Sequence, residues 1–343
     1  MTATAWKPVQ LADLRECLEL MTADGTVPGG VIAHGALDGE SGFLTAGIVA
    51  PECGDARPGP DTVYDAASLT KVVATWPLIG STGIDLDAPV RTFLPTVAAE
   101  APGGKVTVGQ ILAHTTGLRA DTRLDQYRNR NQDLAALICG EDLIAEPGAG
   151  HRYINRGFIL AGLLLARATG RRLDDLAADL WTSLGMTSTA YGPISRSSRV
   201  APTEQRLAGA PRLWGIPHDD NAALLGGIAG HAGVFTTAAD LATYATALLA
   251  GYRDGTDLGR WLARSTVPQA VIEPGLNRGL AWILTADGRV AYHHGFTGTS
   301  LYLAPATGRY LVICTNAVYH HQDNRTRLAP LRALALKAIT AEP

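Results

Sequence analysis

The chain has 343 residues, 46% hydrophobic and 18% charged, which excludes global disorder and leaves enough length for a core without disulfides or metals. A net charge of −3 gives little steering toward nucleic acid or anionic lipid, so neither is expected as a partner. The longest apolar run, 158–166, is far short of the ~20 residues that span a bilayer, and the N-terminus shows no secretory signal, so a cytoplasmic location is expected.

Leu11, Leu14, Cys17, Leu18 and Met21 recur at helical spacing and predict an opening amphipathic helix. Segments 31–36 and 42–47 read as a hairpin around Asp38-Gly39. Residues 62–214 read as mostly helical. Thr107 and Gln110 form a capping box ahead of Ile111, and an apolar helix over 157–169 stops at Gly170. Leu173, Leu176, Ala177, Leu180 and Trp181 make the next helical stripe. The stretch 226–230 is too rich in glycine for a helix interior. Thr237 then caps a helix that Gly251 ends, strands follow at 280–284, 290–294, 300–304 and 310–316, and a helix closes the chain over 328–339. The four cysteines form no CxxC pair, and Cys17 and Cys314, which sit in apolar patterns, read as reduced core residues.

This order predicts an α+β fold in which the last strands complete a sheet begun near the N-terminus, with a mostly helical block inserted between. Residues 1–70 and 215–343 would form the sheet domain and 71–214 the helical one.

Ser68-Leu69-Thr70-Lys71 is an S-x-x-K motif. Residues i and i+3 share a helix face, so Lys71 could take the proton of Ser68 if burial lowers its pKa. Backbone N–H groups at a helix start could hold an oxyanion beside Ser68. The bland alternative is a capping serine and a surface lysine. With 10 Ser and 4 Lys, chance alone supplies the motif about 0.12 times, which favours function. Pro77 should kink or end this helix. In Tyr153-Ile154-Asn155 the tyrosine could act as general acid or base, against a packing tyrosine and a capping asparagine. His293-His294-Gly295-Phe296-Thr297-Gly298-Thr299-Ser300 joins two strands through glycines that admit a ligand close to the backbone. The paired histidines have no H-E-x-x-H spacing, so no metal is expected. At pH 7 His293 would be mostly neutral, giving a hydrogen bond in place of a fixed cation. The apolar segment 213–218 reads either as junction packing or as a site for an acyl acceptor.

Together these motifs resemble the serine β-lactamase and penicillin-binding superfamily, and most closely its class C-like branch of esterases, D-amino-acid peptidases and acyltransferases. The resemblance spans roughly 10–340. It includes Leu86-Asp87-Ala88-Pro89-Val90, Ile111-Leu112-Ala113-His114-Thr115-Thr116-Gly117-Leu118, Leu184-Gly185-Met186 and 226–235. It implies that Ser68 carries the acyl-enzyme and that Lys71 and Tyr153 share the proton work. It also implies that Asn155 orients Lys71 or the substrate carbonyl, and that the backbone N–H groups of Ser68 and Phe296 form the oxyanion hole. The fold it implies is an antiparallel β-sheet flanked by helices with an inserted, mostly helical domain, and the active site between them. His293, His294 and Gly295 stand where drug-hydrolysing members have K-T-G, nearer the H-x-G of esterase-like relatives.

The expected activity is cleavage of a small ester or amide through an acyl-serine, with no cofactor. The acyl group passes to water or to an amine or alcohol acceptor, so the partners are a small acyl donor and an acceptor. A β-lactamase or D,D-peptidase is the alternative, and the missing export signal and neutral His293 count against it. A non-catalytic penicillin-binding-like receptor is the alternative of another class. The joint presence of Ser68, Lys71 and Tyr153 argues against that one.

Overall fold

A computed structural model describes residues 6–120, 123–127, 130, 132–320 and 324–341. The chain opens with α1 (Pro8–Ala23), as its periodicity predicts, and the hairpin β1 (Gly29–Ala36) and β2 (Gly42–Gly47). Then come β3 (Val63–Asp65), α2 (Trp76–Thr82), α3 (Val108–Leu112), α4 (Leu134–Cys139), α5 (Asn155–Thr169), α6 (Leu173–Ser183) and β4 (Ala190–Tyr191). Next are α7 (Asp220–Leu224), β5 (Val234–Thr237), α8 (Ala238–Asp254) and α9 (Asp257–Ser265). The last part holds β6 (Ala270–Glu273), β7 (Leu276–Arg278), β8 (Ile283–Thr285), β9 (Ala291–His294), β10 (Ser300–Ala304), β11 (Arg309–Thr315), α10 (Asn324–Arg327) and α11 (Ala329–Thr340).

Eight strands form one antiparallel sheet in the order β2-β1-β11-β10-β9-β8-β7-β6. The N-terminal hairpin therefore closes onto the last strand, with Gly30 opposite Thr315 and Ala36 opposite Arg309. Side chains alternate between faces with period two. Ile32, Tyr302 and Ile313 pack with Leu14, Leu18 and Leu331 of α1 and α11 on one face. Val31, Ala33, Leu301 and Val312 face the larger core that includes Leu241 and Leu248 of α8. Helices cover both faces, as the α+β reading requires. No described helix is long and apolar enough to cross a membrane.

Three sequence expectations need correction. Residues 62–214 are less helical than their apolar content suggests, because β3 and β4 join β5 in a second sheet and much of 186–218 is irregular. The hairpin of β6 and β7, which extends the main sheet, escaped notice because its strands are only three and four residues long and partly polar. The helix after Thr237 runs past Gly251 and stops at Gly255, which takes the left-handed conformation. Gly251 stays helical, and its missing side chain lets α9 approach: a Cβ there would come 2.5 Å from Thr256 Oγ1.

Candidate active site

Ser68 sits on a tight turn after β3. Ala67 just before it has φ +45°, a left-handed conformation that costs an L-residue about 1–2 kcal/mol. Four hydrogen bonds hold the turn. Asp65 Oδ1 accepts from the Ala67 N–H at 2.8 Å, and Oδ2 accepts from the His218 N–H at 2.7 Å. Thr297 and Thr299 donate to the carbonyls of Asp65 and Ala66 at 2.6 and 3.0 Å. Burial pushes the Asp65 carboxyl above its usual pKa, against the pull of these N–H groups. Gly295 is required here: a side chain would collide with Thr299 and the Ala66 carbonyl. The segment 293–300 thus clamps the Ser68 turn.

Lys71 is fully buried, and its three ammonium donors meet three acceptors: Ser68 Oγ at 2.9 Å, Asn155 Oδ1 at 2.9 Å and the His231 carbonyl at 3.1 Å. Of the kink or end expected at Pro77, the end does not occur. Residues 71–75 form a wide π-helical turn that runs on into α2. Pro77 has no N–H to return to Val72 or Val73. Tyr244 Oη and Trp181 Nε1 supply those carbonyls instead, at 2.6 and 2.8 Å. The His231 carbonyl reaches Lys71 because the backbones of Gly162 in α5 and Gly230 touch: a Cβ on Gly162 would lie 2.8 Å from Gly230 N.

Asn155 opens α5, and Tyr153 stands just before it, 41% exposed toward the cleft. Lys71 Nζ lies 4.9 Å from the Tyr153 ring centroid, and the Tyr153 hydroxyl has no hydrogen-bond partner among the described residues. His114 brackets the tyrosine. Its carbonyl accepts from the Arg152 N–H at 2.8 Å, its Nδ1 accepts from the Ile154 N–H at 3.2 Å, and its ring lies 4.5 Å from that of Tyr153.

His293 is buried and donates Nδ1–H to the His294 carbonyl at 3.0 Å, which leaves Nε2 as an acceptor with no partner among the described residues. Its available hydrogen bond is therefore that of an acceptor. His294 Nε2 lies 3.0 Å from Tyr302 Oη. Burial first, and then Arg278 beside His293 and Arg332 beside His294, hold both imidazoles well below their ordinary pKa.

Arg278, which the sequence reading passed over, supplies the cation that His293 lacks. It is 2% exposed, donates to His151 Nε2 at 3.2 Å and to the Ala281 carbonyl at 3.0 Å, and has no carboxylate partner among the described residues. Burial lowers its pKa to about 10, while burial and the adjacent guanidinium lower that of His151 to about 4.

Two cavities meet at Ser68, Tyr153 and Phe296. One, of about 370 Å³, adds Arg278, His293 and the apolar Leu276 and Ile283. The other, of about 400 Å³, is polar and adds Asn155, Glu204, His218 and Asp219. Ser68, Tyr153, Asn155, His293, His294, Gly295 and Phe296 line these cavities, Lys71 is buried against Ser68, and of the 213–218 segment only His218 is a lining residue. Asp65, His114, His231 and Arg278 were missed. Asp65 precedes the S-x-x-K motif by three residues and His114 lies within a quoted motif, but the His231 contact is a backbone carbonyl, which leaves no residue signature.

The Beta-lactamase family profile matches residues 14–336. A protein of Escherichia coli K12 named "Putative D-alanyl-D-alanine carboxypeptidase" is 28% identical, over 74% of this chain and 69% of its own length. The class C β-lactamase from Rhodobacter sphaeroides has the same fold, with a TM-score of 0.75 and 18% identity over 96% of this chain and 99% of that one. So does EstCE1, a hydrolase with promiscuous acyltransferase activity, with a TM-score of 0.73 and 18% identity over 97% and 99%. The chain therefore belongs to the Beta-lactamase family, among the serine hydrolases of the β-lactamase superfamily.

Proposed function

We propose that the protein cleaves a small ester through an acyl-enzyme on Ser68 and passes the acyl group to water or to an alcohol or amine. The 2.9 Å contact between Ser68 Oγ and Lys71 Nζ, at the junction of two cavities, carries this reading. Ser68 Oγ attacks the carbonyl carbon and its proton leaves through the amine form of Lys71. The Ser68 and Phe296 backbone N–H groups receive the oxyanion, and Asn155 and the His231 carbonyl hold Lys71 in line. Tyr153, facing the cleft, gives its hydroxyl proton to the leaving oxygen and regains one from the Lys71 ammonium, which restores both groups.

The test joins mutant kinetics to intact-mass detection of acylated Ser68 against esters, amides and β-lactams. Ser68→Ala and Lys71→Ala should each lose most of the turnover, with the double variant hardly worse, because the pair acts as a unit. Wild-type turnover in Ser68→Ala would refute the mechanism.

Arg278 favours a second reading, a peptidase acting on a substrate with a terminal carboxylate. A buried guanidinium without a carboxylate partner matches such a group, and the argument from neutral His293 loses force beside it. Short p-nitrophenyl esters turning over far faster than nitrocefin and acyl-D-alanyl-D-alanine would support the ester reading. The reverse ranking would support the peptidase.

A further inference from the structure

The mechanism above leaves one titratable pair at Ser68 unused. In the polar cavity, His218 and Glu204 are 8% and 5% exposed. The His218 ring lies against that of Phe296, with centroids 5.3 Å apart and 28° between planes. Its Nε2 is 3.3 Å from Glu204 Oε1, off the line of a good hydrogen bond, so the contact is chiefly electrostatic. Its Nδ1 has no hydrogen-bond partner among the described residues. The backbone fixes the ring's place, since the His218 N–H donates to the same Asp65 carboxylate that holds the Ala67 N–H of the nucleophile turn. Arg206 locks the other half of the pair: it donates to Glu204 Oε1 at 2.8 Å and to the His218 carbonyl. A carboxylate-backed imidazole is thus tied rigidly to the Ser68 turn and shares a cavity wall with it.

We propose that this cavity receives the nucleophile that discharges the acyl-enzyme, and that His218 Nδ1, backed by Glu204, takes its proton. The proposal rests on the acyl-serine reading and adds the base and the site for its second half. Asn155, Asp219 and Asn221 make the wall polar, which suits a small hydroxylated alcohol or water better than a long alkyl chain. In the step, the acceptor oxygen bonds to the acyl carbon and its proton passes to His218 Nδ1, where Glu204 offsets the new charge. The bond from the acyl carbon to Ser68 Oγ breaks, and Oγ takes a solvent proton relayed through Lys71, which is left as the amine that the next acylation needs. Solvent removes the proton from His218, so the step needs no other reactant.

The experiment follows both halves separately with p-nitrophenyl acetate. Single-turnover release of nitrophenolate reports acylation, and quenched intact mass reports the decay of acyl-Ser68, with and without glycerol as the acceptor. His218→Gln and His218→Phe should acylate at the wild-type rate but discharge about 100-fold more slowly, within the range of general-base catalysis. Glu204→Gln should discharge about tenfold more slowly. Glycerol should speed discharge of the wild type, giving a glyceryl ester, and should not speed that of the His218 variants. Phenylalanine keeps the stack on Phe296, so wild-type discharge in His218→Phe would reduce His218 to packing and overturn the proposal. Equal loss of acylation and discharge would overturn it too, as would a glycerol effect retained in both His218 variants or absent from the wild type. If no variant ever carries an adduct on Ser68, the acyl-serine reading itself falls and takes this inference with it.

Discussion

Ala67 carries the plainest conflict between side chain and backbone at the active site. Its φ of +45° is offset by the hydrogen bond that its N–H donates to the Asp65 carboxylate and by those that Thr297 and Thr299 donate to the Asp65 and Ala66 carbonyls, and it sets the direction in which Ser68 emerges. Ala67→Gly relieves about 1–2 kcal/mol of strain but frees the unfolded chain by about 0.4–1 kcal/mol, so stability should rise by no more than about 1.6 kcal/mol. Ala67→Val puts a β-branched side chain in the same backbone state and should cost more than about 2 kcal/mol, with a loss of kcat. Urea denaturation and ester turnover on the two variants check this, and equal effects would show that the turn is not strained. At this scale the sequence was legible where chemistry is local. Ser68 and Lys71 are one helical turn apart, and Tyr153 and Asn155 share a tripeptide. Arg278 and His151 meet across 127 residues and could not be paired by spacing.

The π-helical turn at 71–75 fixes the register of Lys71 relative to Ser68, and two distant side chains hold it. Tyr244→Phe removes the donor to the Val72 carbonyl and leaves a buried acceptor unsatisfied, which should cost about 1–3 kcal/mol. Because Lys71 begins the same turn, kcat should fall as well. A variant with unchanged Tm would mean that the carbonyl finds another donor. A second element-scale effect sets propensity against contact. Gly162→Ala should gain up to about 1 kcal/mol from helix propensity. Its Cβ would however lie 2.8 Å from Gly230 N and 3.1 Å from Gly230 Cα, closer than unshifted atoms allow. The contact wins: the loop must move, and the His231 carbonyl withdraws from Lys71. Turnover should drop while the helical circular dichroism stays as it was, and wild-type kcat in Gly162→Ala would argue against this account. The sequence identified α5 by its apolar run and its stop at Gly170, and it marked 226–230 as non-helical. That the two glycines touch depends on tertiary packing, which periodicity does not encode.

Across the whole molecule, the closure of the sheet was readable because its inner strands are apolar and bounded by turns, whereas the small sheet of β3, β5 and β4 offers only two to four residues per strand. The same burial gives the protein a predictable response to acid. Burial, their largest cause, lowers the pKa of five histidines: His34, His114, His151, His293 and His294. Above about pH 6.5 they are neutral in both folded and unfolded states and add no pH dependence. Below it the unfolded chain takes up protons that the folded imidazoles refuse, so stability falls as pH falls, by about 1.4 kcal/mol per pH unit for each proton. For His151 this continues down to a folded pKa of about 4. Asp65 acts in the opposite sense: its raised pKa makes the folded state bind a proton more readily as pH drops toward 3.8. One carboxyl does not offset five imidazoles. Asp219, whose carboxyl His231 helps to hold below its usual pKa despite burial, adds a further loss only below 3.8. The unfolding free energy from urea titrations should therefore decline steadily from pH 7 to 5. His34→Gln, on β1 and outside both cavities at Ser68, should flatten that decline by up to one proton and leave turnover at pH 7 unchanged. A free energy constant over this range would mean that these imidazoles become protonated within the folded state, and the reading of His293 Nε2 as a neutral acceptor would have to be abandoned.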